Sequence, residues 1–194
     1  MELRNLMIPA AEAAVRIVRA VPADALDGPT PCPDWDARGL ANHLVFWTGR
    51  GEYAAHKQQP PAEPTEEHDF TADGDWRELF AAQALKTAEA WASSPEAWEG
   101  NTSLSGTGPG MPAAVIGGMV FGEWIMHGWD LAAATGQRPE FAPELIQAAY
   151  EGAASIADMA RQYGAFGEEV PVPESAPQLD RLLGLAGRDP QWTP

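Results

Sequence analysis

The chain has 194 residues, 45% of them hydrophobic, which is enough for one globular domain of moderate size with a substantial core. Its 12 Lys+Arg against 28 Asp+Glu leave a formal charge of −16, a field that repels phosphate backbones and anionic bilayers, so no nucleic acid and no membrane is expected among its partners. The single cysteine, Cys32, excludes an internal disulfide and any multi-cysteine metal site, so a bound metal has to be held by His and carboxylates.

No run of about 18 apolar residues occurs. The N-terminal MELRNLMIPAAEAAVRIV has no basic start followed by an apolar block and a small-residue cleavage site, and the expected location is cytoplasmic. In chain order, the apolar residues Leu3, Leu6, Met7, Ala10, Ala14, Ile17, Val18 and Val21 follow helical spacing, and Pro22 closes this first helix. The stretch DGPTPCPDWDARGL then interrupts the pattern, with Asp34 or Asp36 as N-cap of a second helix over about 36–56. Its inward stripe reads Leu40, His43, Leu44 and Trp47. Residues 58–75, rich in Pro, Glu and Asp, read as a surface loop.

A third helix is expected over about 76–92, with Leu79, Phe80, Ala84 and Trp91 inward. The connection SSPEAWEGNTSLSGTGPG is long enough to be a functional loop or crossover and leaves room for a short hairpin. Pro112 opens a fourth helix that Gly136 closes, and Ile116, Met119, Val120, Glu123, His127 and Leu131 share one face of it. A fifth helix over about 143–163 carries Leu145, Ile146, Ala149, Ile156 and Met159. The proline-punctuated remainder holds one short helix around 179–185. With no strand signal of similar strength, the fold class is all-α, a helical bundle over 1–166 followed by a tail over 167–194 that packs its short helix on the bundle.

Three residues on the inward stripes are ionisable: His43, Glu123 and His127. An unpartnered buried carboxylate is costly, and a divalent metal between two packed helices satisfies two imidazoles and a carboxylate together. Such a set with an open position belongs to catalytic rather than closed structural sites. Hydrogen-bonded core histidines and an ordinary i,i+4 helix pair explain the same spacing, and the two readings stay open on periodicity alone. His56 and His68 read as solvent-exposed.

TPCPDWDARGLANHLVFW followed by GEWIMHGWDLAAATGQ, with the ending VPVPESAPQLDRLLGLAGRDP, resembles the mycothiol-dependent maleylpyruvate isomerase-like, DinB/YfiT-type family of metal-binding bundles. The signatures W-x-x-x-x-L-x-x-H and E-x-x-x-H-x-x-D-L are specific for the family and much less so for any one reaction. The resemblance implies a four-helix bundle with extra short helices and a metal at one end of its core. The isomerase's ligands match His43, Glu123 and His127. Many DinB relatives have His where this chain has Glu123, so the set sides with the isomerase-like branch. Zinc is the expected metal, with nickel, iron or manganese open because the ligand set does not choose sharply among them. The isomerase carries a sterol-carrier-like C-terminal domain, which is not expected here because the sequence ends soon after the bundle. The metal-and-thiol chemistry is therefore what the resemblance transfers, rather than maleylpyruvate isomerisation itself.

The expected function is a metal-dependent S-transferase or isomerase using mycothiol as thiol cosubstrate on a small-molecule electrophile. Asp130, one turn beyond His127, is the candidate catalytic residue, orienting an imidazole or contacting a polar cofactor, against a plain solvated or capping role; Asn42 is a weaker candidate behind the ligands. Of Trp35, Trp47, Trp124 and Trp129, which wall a pocket or simply pack, Trp47 and Trp129 are taken as cofactor contacts. Cys32, with acidic neighbours, reads as structural. The alternatives are a metal-dependent hydrolase, with Asp130 or Asp34 as base, and a non-catalytic metal- or ligand-binding bundle. A homodimer paired through a helix face stays open as an expectation.

Overall fold

A computed structural model describes residues 2–194. A 3-10 turn, Leu3–Leu6, leads into α1, Met7–Arg19, whose Met7, Ala10, Ala14 and Val18 are buried at helical spacing. Helix α2, Ala37–Ala55, starts where the Asp36 carboxylate accepts the Gly39 amide at 2.7 Å, satisfying one of the free N–H groups of the first turn. Helices α3, Trp76–Ser93, and α4, Ala113–Ala134, complete the bundle. Each of α1 and α2 packs against both α3 and α4, so α2 and α4 are neighbours along their length. That adjacency sets His43 of α2 opposite Glu123 and His127 of α4.

Helix α5, Pro143–Gln162, lies on α4, and α6, Gln178–Leu185, packs on α5. The connection before α4 holds a 3-10 turn, Pro95–Trp98, and a two-residue antiparallel ladder, β1, Asn101–Thr102, with β2, Met111–Pro112, in the register Asn101↔Pro112 and Thr102↔Met111. Gly110 beside it has a φ of +69°, and a Cβ there would lie 2.4 Å from the Thr102 carbonyl oxygen. The molecule is the expected all-α bundle of DinB type with a small hairpin attached, and among the described residues no helix is long and apolar enough to cross a membrane.

Three expected core positions are corrected. Leu79, Met119 and Met159 are exposed. In α3 the interior is filled by Trp76, Phe80, Ala84, Ala88 and Trp91, which turns Leu79 outward. Helix α5 meets the bundle through Leu145, Ala149, Ala153, Ala157 and Ala160, a mostly alanine stripe that lets the helix approach closely and leaves the larger Ile146, Ile156 and Met159 at its flanks. Helix α4 is covered from several sides, by α1, α2 and α5, so its buried set runs almost all round and Met119 falls in the gap.

Close approach inside the bundle depends on small residues beside tryptophans. The Trp91 indole N–H donates to the Gly51 carbonyl at 3.0 Å, and the Trp98 indole N–H to the Trp91 carbonyl at 2.7 Å. Next to the ionisable cluster, the buried Trp124 indole donates to the Thr48 hydroxyl at 3.0 Å, fixing α4 against α2.

Candidate metal centre

His43 and Glu123 meet across the α2–α4 interface, with His43 Nε2 2.9 Å from Glu123 Oε2. His127, one turn beyond Glu123, brings its Nε2 to 3.5 Å from the same oxygen. Each of the three residues offers one ligand atom, and all these atoms lie within 4.8 Å of one another. Ligands at a metal–nitrogen distance of about 2.1 Å stand about 3.4 Å apart along a tetrahedral edge, so this spacing fits a divalent ion with small adjustments. The side chains of His43 and His127 are 14% and 9% exposed against 30% for Glu123, so the cluster opens towards solvent on the Glu123 side.

The ring orientations also fit a metal. The far nitrogen of His127, Nδ1, is 2.9 Å from Asp130 Oδ2, an arrangement in which Nδ1–H donates to the carboxylate and the Nε2 lone pair points at Glu123. Asp130 is fully buried and is itself held by Arg188, whose Nη2 lies 3.2 Å from Oδ2. The rings of His43 and His127 stand at 78° to each other with centroids 5.2 Å apart, and Trp35 lies against both, 4.3 Å from His43 and 5.5 Å from His127. The Nδ1 of His43 is buried and has no hydrogen-bond partner among the described residues.

Electrostatics hold the cluster together without a metal. Burial would raise the Glu123 carboxyl, but His127 and His43 outweigh it and bring it down from 4.5 to about 2. Burial would lower the His127 imidazole, and the Glu123 and Asp130 carboxylates outweigh that and leave it raised. A proton on His127 thus supplies part of the positive charge that Glu123 demands, which a bound cation would replace.

Among the other residues singled out in the sequence, Trp47 stands beside the cluster, its ring 6.4 Å from His43 and its indole donating to Glu66 at 2.9 Å. Trp47 also lines, with Leu44, Thr48, Leu104 and Val120, an apolar slot that ends on Glu123. Trp129 lines a separate cavity together with Gln137, Pro190 and Trp192. Asn42 is turned away from the ligands, donating to Asp69 at 3.0 Å and accepting the Thr71 amide at 3.1 Å, so it anchors the loop before α3. Asp34 is exposed. Cys32 is buried with its sulfur near His127 and Asp130, and burial pushes its thiol up, which keeps it protonated.

Two residues escaped the sequence reading. Arg188 lies in the tail, and its GRDP context gives no periodicity. The signal was chemical, because an inward-facing Asp130 requires a cation and the tail supplies few. Glu66 sits in an acidic loop among several equivalent carboxylates, and nothing in the sequence separates it from them.

Comparison with known proteins agrees with this architecture. The family described as mycothiol maleylpyruvate isomerase N-terminal domain matches residues 9–132, which include His43, Glu123, His127 and Asp130. Two curated relatives, the uncharacterized proteins MT0763 and Rv0738 of Mycobacterium tuberculosis, are each 34% identical over 187 residues, covering 92% of this chain and 93% of theirs. No solved structure matches the chain significantly. The chain belongs to the mycothiol maleylpyruvate isomerase N-terminal domain family.

Proposed function

We propose that this protein is a metal-dependent enzyme that uses a low-molecular-weight thiol, mycothiol, as cosubstrate in an S-transfer or isomerisation of a small electrophile, with the metal held by His43, Glu123 and His127. The observation that carries the reading is the convergence of the two Nε2 atoms on Glu123 Oε2, at 2.9 and 3.5 Å. A divalent metal, zinc first among the candidates, supplies Lewis acidity there and lowers the pKa of a thiol brought next to it.

The protein's own groups do the rest. Asp130 accepts the Nδ1 proton of His127 and keeps that ring in one orientation; it acts through His127, because Asp130 has no exposed surface from which to touch a substrate. Glu123 compensates positive charge and marks the open side of the cluster. The apolar side chains of Leu44, Trp47, Leu104 and Val120 adjoin Glu123 and would screen a thiol brought there from bulk water. In the chemistry proposed, the thiol loses its proton to solvent and its sulfur forms a bond to an electrophilic carbon. With an activated alkene, the electron pair moves to the neighbouring carbon, and reversal after rotation about the former double bond releases the thiol and an isomerised product. With an epoxide, the carbon–oxygen bond breaks and the alkoxide takes a proton from solvent; with a halide, the carbon–halogen bond breaks and the halide ion leaves; the thioether is the product of both.

The test has two stages. Elemental analysis of the purified protein is expected to find stoichiometric metal that is lost in His43→Ala and in His127→Ala; equal zinc in both variants and the parent removes the premise. Metal-loaded protein is then incubated with an electrophile, with and without mycothiol. Thiol-dependent consumption supports the reading, and thiol-independent cleavage of an ester or amide would replace it with a hydrolase.

A further inference from the structure

The two imidazoles of the cluster are supported unequally. His127 has Asp130 at 2.9 Å from its Nδ1, whereas the Nδ1 of His43 is buried and unpartnered. A buried ring nitrogen without a partner is costly, so a group able to satisfy it is expected nearby. The carboxylate across the ring from Glu123 is Glu66, whose Oε1 lies 3.8 Å from Nδ1, just beyond hydrogen-bond range. Glu66 comes from the loop between α2 and α3, keeps 54% side-chain exposure, and is tethered by the Trp47 indole at 2.9 Å. It is close enough to reach His43 by a small side-chain rotation. Its two oxygens have lone pairs enough to serve Trp47 and His43 together.

We infer that Glu66 is the positioning residue for His43: by a small side-chain rotation its carboxylate accepts a hydrogen bond from Nδ1–H when His43 Nε2 binds a metal. The inference rests on the metal reading of His43. Once Nε2 of His43 gives its lone pair to a cation, the ring proton must sit on Nδ1, and the buried N–H then needs an acceptor. The other groups facing His43 do not offer one. Glu123 and His127 lie on the Nε2 side, Trp35 presents a ring face at 4.3 Å, and the Trp47 indole nitrogen is a donor. Two carboxylates, Asp130 from the rigid α4 and Glu66 from a loop, then flank the two histidine ligands.

The experiment compares Glu66→Ala and Glu66→Gln with the parent. Zinc affinity is measured by competition with a chromophoric chelator, and the His43 Nδ1–H resonance by NMR of the zinc-loaded protein. Affinity is expected to fall about 10- to 100-fold in Glu66→Ala. Glu66→Gln, whose amide oxygen still accepts a hydrogen bond, is expected to retain part of it. The Nδ1–H resonance should be protected from exchange in the parent and in Glu66→Gln, and absent in Glu66→Ala. The melting temperature of the metal-stripped variants should match the parent, since the Glu66 side chain is half exposed. Equal zinc affinity in all three proteins, or a protected Nδ1–H in Glu66→Ala, overturns the role of Glu66 while leaving the metal centre standing. A parent that takes up no zinc overturns both, and is recognised separately because the variants play no part in that result.

Discussion

Arg188, from the segment after the last helix, places its guanidinium 3.2 and 3.5 Å from the two oxygens of Asp130, a carboxylate with no exposed surface on α4. The arginine is itself buried, is held by the Ala186 carbonyl at 2.8 Å, and its own amide donates to the Leu183 carbonyl at 2.8 Å. Because Asp130 in turn accepts from His127, the tail is mechanically connected to the candidate metal ligands. A segment that reads as an appendage is part of the support of the site.

Replacing Arg188 with Gln leaves Asp130 as a buried carboxylate without its cation, and breaking a buried pair in this way costs about 3–5 kcal/mol. The double variant Arg188→Gln, Asp130→Asn removes both charges and is expected to be clearly more stable than the sum of the single changes predicts. Urea unfolding of the four proteins measures the coupling. Strict additivity would mean that the pair does not hold the tail.

The fold was legible because α1 and α5 carry strong periodicity and α2 and α4 are long apolar-rich runs with clear ends, Asp36 offering a side-chain cap and Gly136 and the prolines punctuating the chain. The site was legible as far as it lay on those helices: the i,i+4 spacing of Glu123 and His127 put them on one face, and His43 fell on the facing stripe. Leu79, Met119 and Met159 misled because apolar spacing does not fix which flank residue is covered: Trp76, Phe80 and Trp91 fill the α3 interior, Met119 falls between the helices packed on α4, and an alanine stripe leaves Met159 at the flank of α5. Glu66 and Arg188 reach the cluster from a loop and the tail, where no period marks which residue turns inward. Asn42, by contrast, sits beside His43 in sequence yet points elsewhere, since adjacent helical positions do not share a face.

Gly117 is a packing requirement. A Cβ there would lie 2.7 Å from a Trp98 ring carbon and 2.9 Å from one of Trp91. Both rings are pinned by their indole hydrogen bonds, to Trp91 and Gly51 respectively, and cannot yield cheaply. Gly117→Ala is therefore expected to destabilise by about 1–3 kcal/mol through overpacking, despite the better helix propensity of alanine. Urea unfolding followed by tryptophan fluorescence tests this, and a stabilised variant would show that α4 can shift freely.

Asp36 caps the helix that carries His43, through the bond to the Gly39 amide. Asp36→Ala is expected to cost about 1 kcal/mol and Asp36→Asn much less, because an amide oxygen also accepts the N–H. Comparable losses in the two variants would assign the effect to charge rather than to the cap.

The pH dependence of stability should change sign of slope when metal is added. In chelator-treated protein, the Glu123 carboxyl is depressed from 4.5 to about 2, so its contribution is present above pH 4.5 and is lost as the pH falls towards 2. The His127 imidazole is raised above 6.5, so its contribution is full below pH 6.5 and is lost as the pH rises through the folded value. Both contributions are complete only between those two limits, and this cluster's effect is to make stability decline on the alkaline side. Zinc bound as proposed would need proton-free Nε2 atoms on His43 and His127, so metal binding would compete with protonation and strengthen with pH. Thermal melts in chelator and in excess zinc, taken from pH 4 to pH 9, are therefore expected to diverge above pH 6.5, the stripped protein falling while the zinc form holds or rises. Parallel curves across that range would mean that zinc does not replace the proton on His127.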